Sequence, residues 1–281
     1  MRIFNNKKDL KDCLLEHKRS KKTIGFIPTM GALHQGHLSL IEEAKRENSI
    51  VVVSIFVNPT QFDNVEDLKK YPKTIENDIK LLASVSCDVL FSPTVAEIYS
   101  KNIISEKLNF DGLEHQMEGK YRDGHFNGVG TIVKTLFKII EPNSAYFGQK
   151  DFQQLQIIKK MVQKNNLNVK VKGCQIFREK NGLAMSSRNS RLSDESREIA
   201  PIIYKILEKV KNKFDTKSLS EINEWVENKF KKQHLLKLEY FVIADEETLK
   251  APKKKDSSKK YRAFIAVFAG DIRLIDNIRL K

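Results

Sequence analysis

Cysteine, long apolar runs and a leader-like N-terminus are scarce or missing in this sequence, and each absence excludes a class of protein. The 281 residues contain only three cysteines, Cys13, Cys87 and Cys174, which are far apart. This number and spacing exclude a disulfide framework and a cysteine-rich zinc site. The apolar run 50–57 ends well before the roughly 20 residues that a membrane span needs, and residues 1–8 lack the apolar stretch of a secretory signal. We therefore expect a cytoplasmic protein that does not enter a membrane.

Glycine and proline are also too few for a collagen-like or low-complexity chain. There are 12 glycines and 7 prolines, while hydrophobic residues make up 40% and charged residues 31% of the sequence. This balance provides enough apolar surface for a packed core and argues against disorder. At roughly 100–200 residues per domain, the length predicts one large or two ordinary domains.

The charge is strongly positive, but it is not concentrated in one tail. Lysine and arginine number 50 against 36 aspartates and glutamates, which gives a net charge of +14. Such a charge suits a nucleic-acid-binding protein or an enzyme that handles anionic substrates. The cluster at 253–260 lies between two strand-like segments and contains no aromatic residue that could stack on a base. We therefore predict a solvated hairpin loop there and no nucleic-acid partner.

Apolar, often β-branched runs alternate with helix-like segments in the first part of the chain. The strand-like runs are 23–27, 50–57, 88–91, 145–147 and 169–171. The helix-like segments are one from about 37, then 74–83, 128–140 and 151–163. This alternation predicts an α/β fold with a doubly wound parallel sheet. Ligands of such sheets bind at the carboxyl ends of the strands, which is where the polar motifs of this chain fall.

The pattern changes after about residue 177. Two apolar helical stripes, at 199–210 and 219–230, are typical of packing faces. Three strand-like segments, at 238–244, 262–269 and 272–280, follow them. The sequence therefore predicts a domain over residues 1–176 and a smaller α+β domain over residues 177–281.

The first strand runs into a loop that holds two histidines three residues apart, His34 and His37. Gly31 and Gly36 allow a ligand to approach the backbone closely, because neither carries a Cβ. The start of a helix supplies free N–H groups and a positive dipole end that suit phosphate. A packed histidine pair or half of a metal site would explain the histidines alone, but the whole strand–loop–helix context favours a nucleotide site.

Four further motifs carry polar residues at strand ends, before a helix or at the predicted domain junction, and each allows two interpretations on its own. The Gln61 amide can hold a hydroxyl and a carboxylate together, or it can belong to an ordinary turn. Arg122 and His125 could face an anion, or Gly124 and Asn127 could simply shape a loop and a helix start. Lys150 can meet phosphate as a compact charge, while Asp151 suits a helix N-cap. The segment 186–188, Ser-Ser-Arg, suits the β- and γ-phosphates of ATP or a hinge loop.

Taken together, these motifs resemble the pantoate–β-alanine ligase (pantothenate synthetase) family in order and spacing. The matching segments are 28–37, 57–62, 67–74, 119–128, 146–154 and 178–189. The resemblance implies a Rossmann-like sheet of the His-x-Gly-His nucleotidylyltransferase superfamily, a smaller C-terminal lid domain and a homodimer. It implies that ATP activates pantoate as pantoyl adenylate with release of pyrophosphate, and that β-alanine then displaces AMP to give pantothenate.

The resemblance also implies roles for single residues. It assigns proton donation to His37, with His34 as its catalytic neighbour. Gln61 and Gln154 are expected to bind pantoate, and Gln61 also β-alanine. Mg²⁺ is expected on the phosphates of ATP, with unknown protein ligands; Asp78 is a candidate carboxylate near it. The expected ATP-binding residues are Met30, Gly31, Ala32, Leu33, His34, Gln35, Gly36, His37, Gly148, Gln149, Lys150, Asp151, Phe177, Met185, Ser186, Ser187 and Arg188.

Four positions depart from the usual family pattern. Asp123 stands where proline is usual, Lys73 replaces an arginine, Gln149 replaces a frequent glutamate, and Phe177 replaces a smaller β-branched residue.

Two other enzyme classes share the first loop. A nucleotidylyltransferase that acts on a phosphate-ester acceptor needs neither Gln61 nor Gln154 nor a lid. A class I aminoacyl-tRNA synthetase also uses His-x-Gly-His, but this length leaves little room for an anticodon-binding domain.

Overall fold

The computed structural model describes residues 1–63, 65–99 and 102–281. These residues form two compact units. The first unit comprises Met1–Gln149 and Gln154–Gln175, and the second comprises Lys150–Gln153 and Ile176–Lys281. The division into domains at 176/177 stays a prediction.

The first unit is built on a parallel sheet with the strand order β1-β4-β3-β2-β5-β6. Neighbouring strands pair in parallel throughout. Every residue of the third strand is buried, as expected for a strand covered on both faces. The prediction of a doubly wound parallel sheet is therefore confirmed. The strands are β1 (Arg2–Phe4), β2 (Ile24–Thr29), β3 (Ile50–Ile55), β4 (Val89–Phe91), β5 (Ser144–Gly148) and β6 (Lys170–Cys174).

Helices connect these strands and cover the sheet. Apolar side chains of the helices and strands form the core; Ile27, Ile41, Leu82 and Leu90 are fully buried in it. The helix that was predicted to begin at residue 128 begins three residues earlier, at His125. The helices are α1 (Lys7–Arg19), α2 (Gln35–Glu47), α3 (Val65–Lys70), α4 (Ile75–Ser84), α5 (Val95–Tyr99), α6 (Met117–Tyr121), α7 (His125–Ile140) and α8 (Phe152–Lys164).

The second unit packs helices against a three-stranded antiparallel sheet of order β7-β8-β9. The first predicted apolar stripe belongs to two helices instead of one, because Pro201 lacks the N–H that a continuous helix would need. The segment 253–260 lies in the connection between two antiparallel strands, as predicted. The elements are α9 (Asp194–Ile199), α10 (Ile202–Lys213), α11 (Leu219–Phe230), β7 (Leu236–Asp245), β8 (Tyr261–Ala269) and β9 (Ile272–Arg279).

All three cysteines are free and buried. Burial raises the pKa of the Cys87 thiol and of the Cys174 thiol to about 12. Both groups therefore stay protonated near neutral pH and are poor nucleophiles. In the part of the chain that the structure describes, no helix is both long and apolar enough to span a bilayer.

Candidate active site

In the first unit the connections of the sheet change direction between β2 and β5, which makes a topological switch point at the carboxyl ends of these strands. These strands are neighbours, but β2 leads through α2 to β3 on one side, whereas β5 leads through α8 to β6 on the other. Right-handed crossovers in opposite directions put α2 and α8 on opposite faces of the sheet. Ligands of doubly wound sheets bind at such a switch point. The predicted site residues of this unit lie in the loops after β2, β3 and β5, in the first turns of α2 and α8, and at the end of β5.

The loop after β2 has a conformation that depends on glycine. Gly31 has a φ of +83° and Ala32 a φ of +51°, both in the left-handed region. A Cβ on Gly31 would also lie 3.1 Å from Oδ2 of Asp78 and 3.0 Å from Cγ2 of Ile55. Glycine is therefore required here both by the backbone torsion and by the close approach of neighbouring side chains.

A buried carboxylate holds this loop in place. Asp78 in α4 is 1% exposed. Its Oδ2 accepts a hydrogen bond from the N–H of Ala32 (3.0 Å), and its Oδ1 accepts one from the N–H of Leu33 (2.8 Å). The Thr74 hydroxyl also donates to Oδ1, at 3.1 Å. These contacts offset the strain of the left-handed residues and give Asp78 a definite role in shaping the loop.

The two histidines lie at the start of α2. Their rings stack, with centroids 4.0 Å apart and an interplanar angle of 29°. The His34 backbone N–H donates to Nδ1 of His37 at 3.3 Å. The two rings are thus packed against each other, as one of the interpretations held. They also lie beside the N–H groups of a helix N-terminus, where an anion is stabilised.

The Gln61 side chain reaches from the loop after β3 to the loop after β2. Gln61 ends the 3₁₀ turn Pro59–Gln61 and is 8% exposed. Its Nε2 lies 3.0 Å from Sδ of Met30, and its Oε1 accepts from Nδ2 of Asn58 at 3.2 Å. The structure therefore brings together Met30, an expected ATP residue, and Gln61, an expected pantoate residue.

Arg122 before α7 and the first turn of α7 support the backbone of Gln61, which the sequence analysis did not predict. Nδ1 of His125 lies 2.8 Å from the carbonyl oxygen of Gln61, and Nη2 of Arg122 donates to the same oxygen at 3.4 Å. A Cβ on Gly128 would lie 2.3 Å from the carbonyl oxygen of Thr60. Only glycine at this position lets α7 pack against the turn. Arg122 and His125 thus both contact the backbone of Gln61, and their role towards an anion stays a prediction.

The loop after β5 leaves open space at Gly148. A Cβ there would meet no atom of the described residues within 4 Å, and Gly148 is not among the glycines with a left-handed φ. Neither its backbone torsion nor its neighbours therefore require glycine. Nε2 of Gln149 donates to the Gly173 carbonyl at 3.0 Å, which fixes the loop against β6. Gln154 is half-buried in the first turn of α8.

The second unit brings its own expected ATP residues together in two segments. Lys150 and Asp151 lie in a 3₁₀ turn directly before α8, with Nζ of Lys150 3.9 Å from Oδ1 of Asp151. The N–H of Met185 donates to the carbonyl of Phe177 at 3.0 Å. Ser186 caps the following 3₁₀ helix, because its hydroxyl accepts from the N–H of Arg188 at 3.3 Å.

These residues supply the kinds of groups that bind a polyanion. The first unit presents a helix N-terminus and imidazole rings, and the second presents lysine, arginine and hydroxyl side chains. Within residues 1–63, 65–99 and 102–281, no group of three or more His, Cys, Asp or Glu side chains could hold a metal ion. The chemistry of these groups therefore suits a phosphate-bearing ligand.

The sequence matches the family model described as pantoate-beta-alanine ligase over residues 2–279. It is 55% identical to the pantothenate synthetase of Flavobacterium psychrophilum, and the match covers 100% of both chains. It is 53% identical to the pantothenate synthetase of Christiangramia forsetii, again over 100% of both chains.

Solved structures give the same result. The crystal structure of pantothenate synthetase from Thermus thermophilus superposes with a TM-score of 0.92 at 37% identity, covering 100% of this chain and 99% of that one. Pantoate-beta-alanine ligase from Francisella tularensis, crystallised with beta-gamma ATP and beta-alanine, superposes with a TM-score of 0.81 at 39% identity. That match covers 100% of this chain and 98% of the Francisella chain.

Proposed function

The chain belongs to the pantoate-beta-alanine ligase family, and on that premise we propose that its strand-end residues carry out this family's reaction. The reaction is the ATP-dependent condensation of pantoate with β-alanine, a step of pantothenate biosynthesis. One observation supports the proposal most strongly. The Met30–His37 loop, shaped by Gly31 and Asp78, contacts Gln61 directly through Met30.

The first half-reaction is an adenylyl transfer. An oxygen of the pantoate carboxylate attacks the α-phosphorus of ATP, the bond from that phosphorus to the bridging oxygen breaks, and pyrophosphate leaves with the electron pair. Negative charge grows on the bridging and equatorial oxygens during this step. Donors that are already aimed at these oxygens lower the barrier, because they need no reorganisation. His37 and the N-terminal N–H groups of α2 are suited to this task.

The second half-reaction is an acyl transfer. The amine of β-alanine attacks the carbonyl carbon of pantoyl adenylate, the bond from carbon to the AMP oxygen breaks, and the amine loses a proton. AMP is a good leaving group, whereas the oxygen of a free carboxylate is not. Gln61 is suited to hold the acceptor because its amide both donates and accepts, and because its own backbone is fixed by His125.

The single-residue roles that the resemblance implies complete the proposal. His37 donates a proton, His34 supports it, and Gln61 and Gln154 bind pantoate. ATP contacts come from 30–37, from Gly148 and Gln149 in the first unit, and from residues of the second unit. The open space at Gly148 supports a ligand that approaches the backbone there. The second-unit residues in this role are Lys150, Asp151, Phe177, Met185, Ser186, Ser187 and Arg188.

Magnesium, the oligomeric state and the cellular compartment belong to the same proposal. Mg²⁺ enters as part of the substrate, bound to the phosphates of ATP, which is its usual mode of binding at nucleotide sites. The homodimer and the cytoplasmic location are carried over from the resemblance. The division into a domain at 1–176 and a lid domain at 177–281 is proposed on the same ground.

The experiment that tests the function measures pyrophosphate release from Mg-ATP by the purified chain. We expect release only when pantoate is present, and AMP and pantothenate only after β-alanine is added. Reactions without pantoate, and with a phosphate ester in its place, serve as controls.

The outcomes separate the candidate reactions. Release that did not respond to pantoate would leave the nucleotide site in place and remove the proposed acceptor. Release with the phosphate ester would instead indicate the nucleotidylyltransferase activity that shares the first loop. Absence of turnover with ATP still bound would contradict the ligase reaction altogether.

A further inference from the structure

Two consecutive residues of β9, Asp276 and Asn277, are polar and yet almost completely buried. Asp276 is 5% exposed and Asn277 is 1% exposed. Buried polar groups destabilise a fold unless they are hydrogen-bonded. Successive side chains of a strand point to opposite faces of the sheet. Asp276 and Asn277 must therefore find their partners on opposite faces of the three-stranded sheet.

Asp276 is paired with Arg178 on one face. Its Oδ2 accepts from Nη1 of Arg178 at 2.7 Å, and its Oδ1 accepts from Nη2 at 2.9 Å. This is the two-pronged geometry that fixes the direction of an arginine most strongly. The guanidinium also lies 3.7 Å from the centre of the Tyr204 ring and donates to the Gly182 carbonyl at 3.1 Å. Arg178 is thereby fixed in orientation, and with it the backbone that follows Phe177.

Asn277 is bonded to the Lys150 backbone on the other face. Its Nδ2 donates to the carbonyl oxygen of Lys150 at 2.8 Å, and its Oδ1 accepts from Nη1 of Arg262 at 2.6 Å. Because arginine can only donate, this contact fixes which end of the amide faces Lys150. The Arg262 guanidinium lies 4.0 Å from the centre of the Phe152 ring, which packs against Phe264. The Lys150–Phe152 segment is therefore held by β8 and β9 together.

Arg178, the partner of Asp276, and Lys150, the partner of Asn277, belong to the two segments that were assigned to ATP above. We propose that Asp276 and Asn277 are positioning residues for the ATP site, one for the Phe177–Arg188 segment and the other for the Lys150–Asp151 turn. The inference rests on the proposed function, because that function gives the two segments their common ligand. Neither residue touches the nucleotide in this proposal.

Polyphosphate binding needs positively charged side chains to be held in a defined geometry. Lys150 and Arg188 are on loops, and a loop has many backbone conformations in the absence of long-range contacts. The hydrogen bond from Asn277 to the Lys150 carbonyl orders one loop before ATP binds, and the pairing of Arg178 with Asp276 orders the other. Ordering before binding lowers the entropy that binding must overcome. Loss of either anchor is therefore expected to weaken ATP binding and to leave β-alanine binding nearly unchanged.

The test compares four single variants of the full chain. Asn277→Asp keeps the shape and the acceptor for Arg262, but turns an oxygen towards the Lys150 carbonyl. Asn277→Leu removes the donor without adding charge, which separates loss of the anchor from repulsion of ATP. Asp276→Asn removes the carboxylate that pairs with Arg178 on the other face of the sheet. Asn223→Asp, an exposed position in α11, is the matched control.

The readouts are the Kd of Mg-ATP by calorimetry, the KM values of ATP and β-alanine, and the melting temperature. Both Asn277 variants are expected to raise the Kd and KM of ATP roughly tenfold, and Asp276→Asn several-fold. The KM of β-alanine is expected to stay within about twofold of its wild-type value, and Asn223→Asp is expected to behave as the wild type.

Three results would overturn the proposal. The first is unchanged ATP binding in the Asn277 variants, and the second is an equal loss for ATP and β-alanine. The third is failure of the variants at both positions to fold, which would make the pair structural only. The proposed function is judged separately, on pantoate-dependent pyrophosphate release by the wild type. If that release were missing, the calorimetric comparison for ATP would still decide the positioning role.

Discussion

The His37 side chain has a defined tautomer in this structure. Its Nδ1 accepts the backbone N–H of His34 at 3.3 Å, so in the neutral ring the proton is on Nε2. Stacking on the His34 ring, at 4.0 Å between centroids, restricts rotation of the imidazole. The same ring can therefore present an N–H donor in a constant direction, which is what a group that stabilises growing negative charge requires.

His37→Ala is expected to lower the rate of pantoate-dependent adenylate formation by about 100-fold or more. The reason is that the variant loses the Nε2 donor but keeps the helix N-terminus that binds the phosphates. The rate is measured as ATP–pyrophosphate exchange, alongside the melting temperature. His234→Ala, at an exposed position of the second unit, is the control for loss of an imidazole. A near-normal rate in His37→Ala would remove the role that is proposed for this residue.

The residues of the strand-end loops could be predicted from the sequence, but their supports could not. Gly31 and the histidines belong to one short motif whose spacing has a physical meaning, and the structure places them where β2 leads into α2. Asp78 hydrogen-bonds Ala32 from 46 residues away, and His125 reaches the Gln61 carbonyl from 64 residues away. Such pairs arise from the order of strands in the sheet, which local spacing does not encode. The catalytic and binding roles themselves stay predictions.

At the scale of elements, α11 shows how a local signal fixes a helix start. The Ser218 hydroxyl accepts from the N–H of Glu221 at 3.2 Å, and Oε2 of Glu221 accepts from the N–H of Ser218 at 2.8 Å. This reciprocal pair satisfies two N–H groups that the first turn leaves open. The Ser218 N–H and the nearby Lys217 ammonium lower the pKa of Glu221 to about 2.

Glu221→Gln is expected to destabilise the protein at neutral pH and to have no effect in strong acid. A carboxyl whose pKa falls on folding stabilises the native state above its ordinary pKa of 4.5, and this contribution is lost as pH falls towards about 2. The melting temperatures of wild type and variant should therefore converge over that range. Ser257→Ala, in an exposed loop, is the control for a surface change. A difference that did not depend on pH would contradict the cap as its cause.

Elements with several periodic residues could be predicted, and those that depend on a neighbour could not. The run 50–57 was apolar enough to be read as a buried strand, and β3 is one. By contrast, β1 has three residues, too few to show alternation, and it exists because its backbone pairs with β4. The break between α9 and α10 was also missed, since the apolar stripe continues across Pro201 although the hydrogen-bond ladder does not.

At the scale of the whole molecule, the net charge of +14 suits an enzyme with anionic substrates. Several of the positive side chains have partners within the fold. Lys255 donates to the backbone carbonyls of Phe214 and Lys217, and Lys259 lies 3.8 Å from Asp245. In these contacts the lysine ammonium groups bind oxygen atoms of the protein itself. The rest raises the local concentration of anionic substrates such as ATP, an effect that weakens with salt.

This charge distribution predicts that RNA binds only weakly and without consequence for catalysis. At low salt we expect non-specific binding, with an affinity that falls linearly in logarithmic plots against salt concentration. At about 150 mM salt, where the Debye length is roughly 8 Å, micromolar RNA should leave pantoate-dependent pyrophosphate release unchanged. Replacing the exposed Lys253, Lys254 and Lys260 by glutamine should reduce the low-salt binding and keep the activity. Inhibition by RNA at the higher salt would mean that the positive surface serves a nucleic acid, because diffuse charge alone cannot hold a polyanion against that screening.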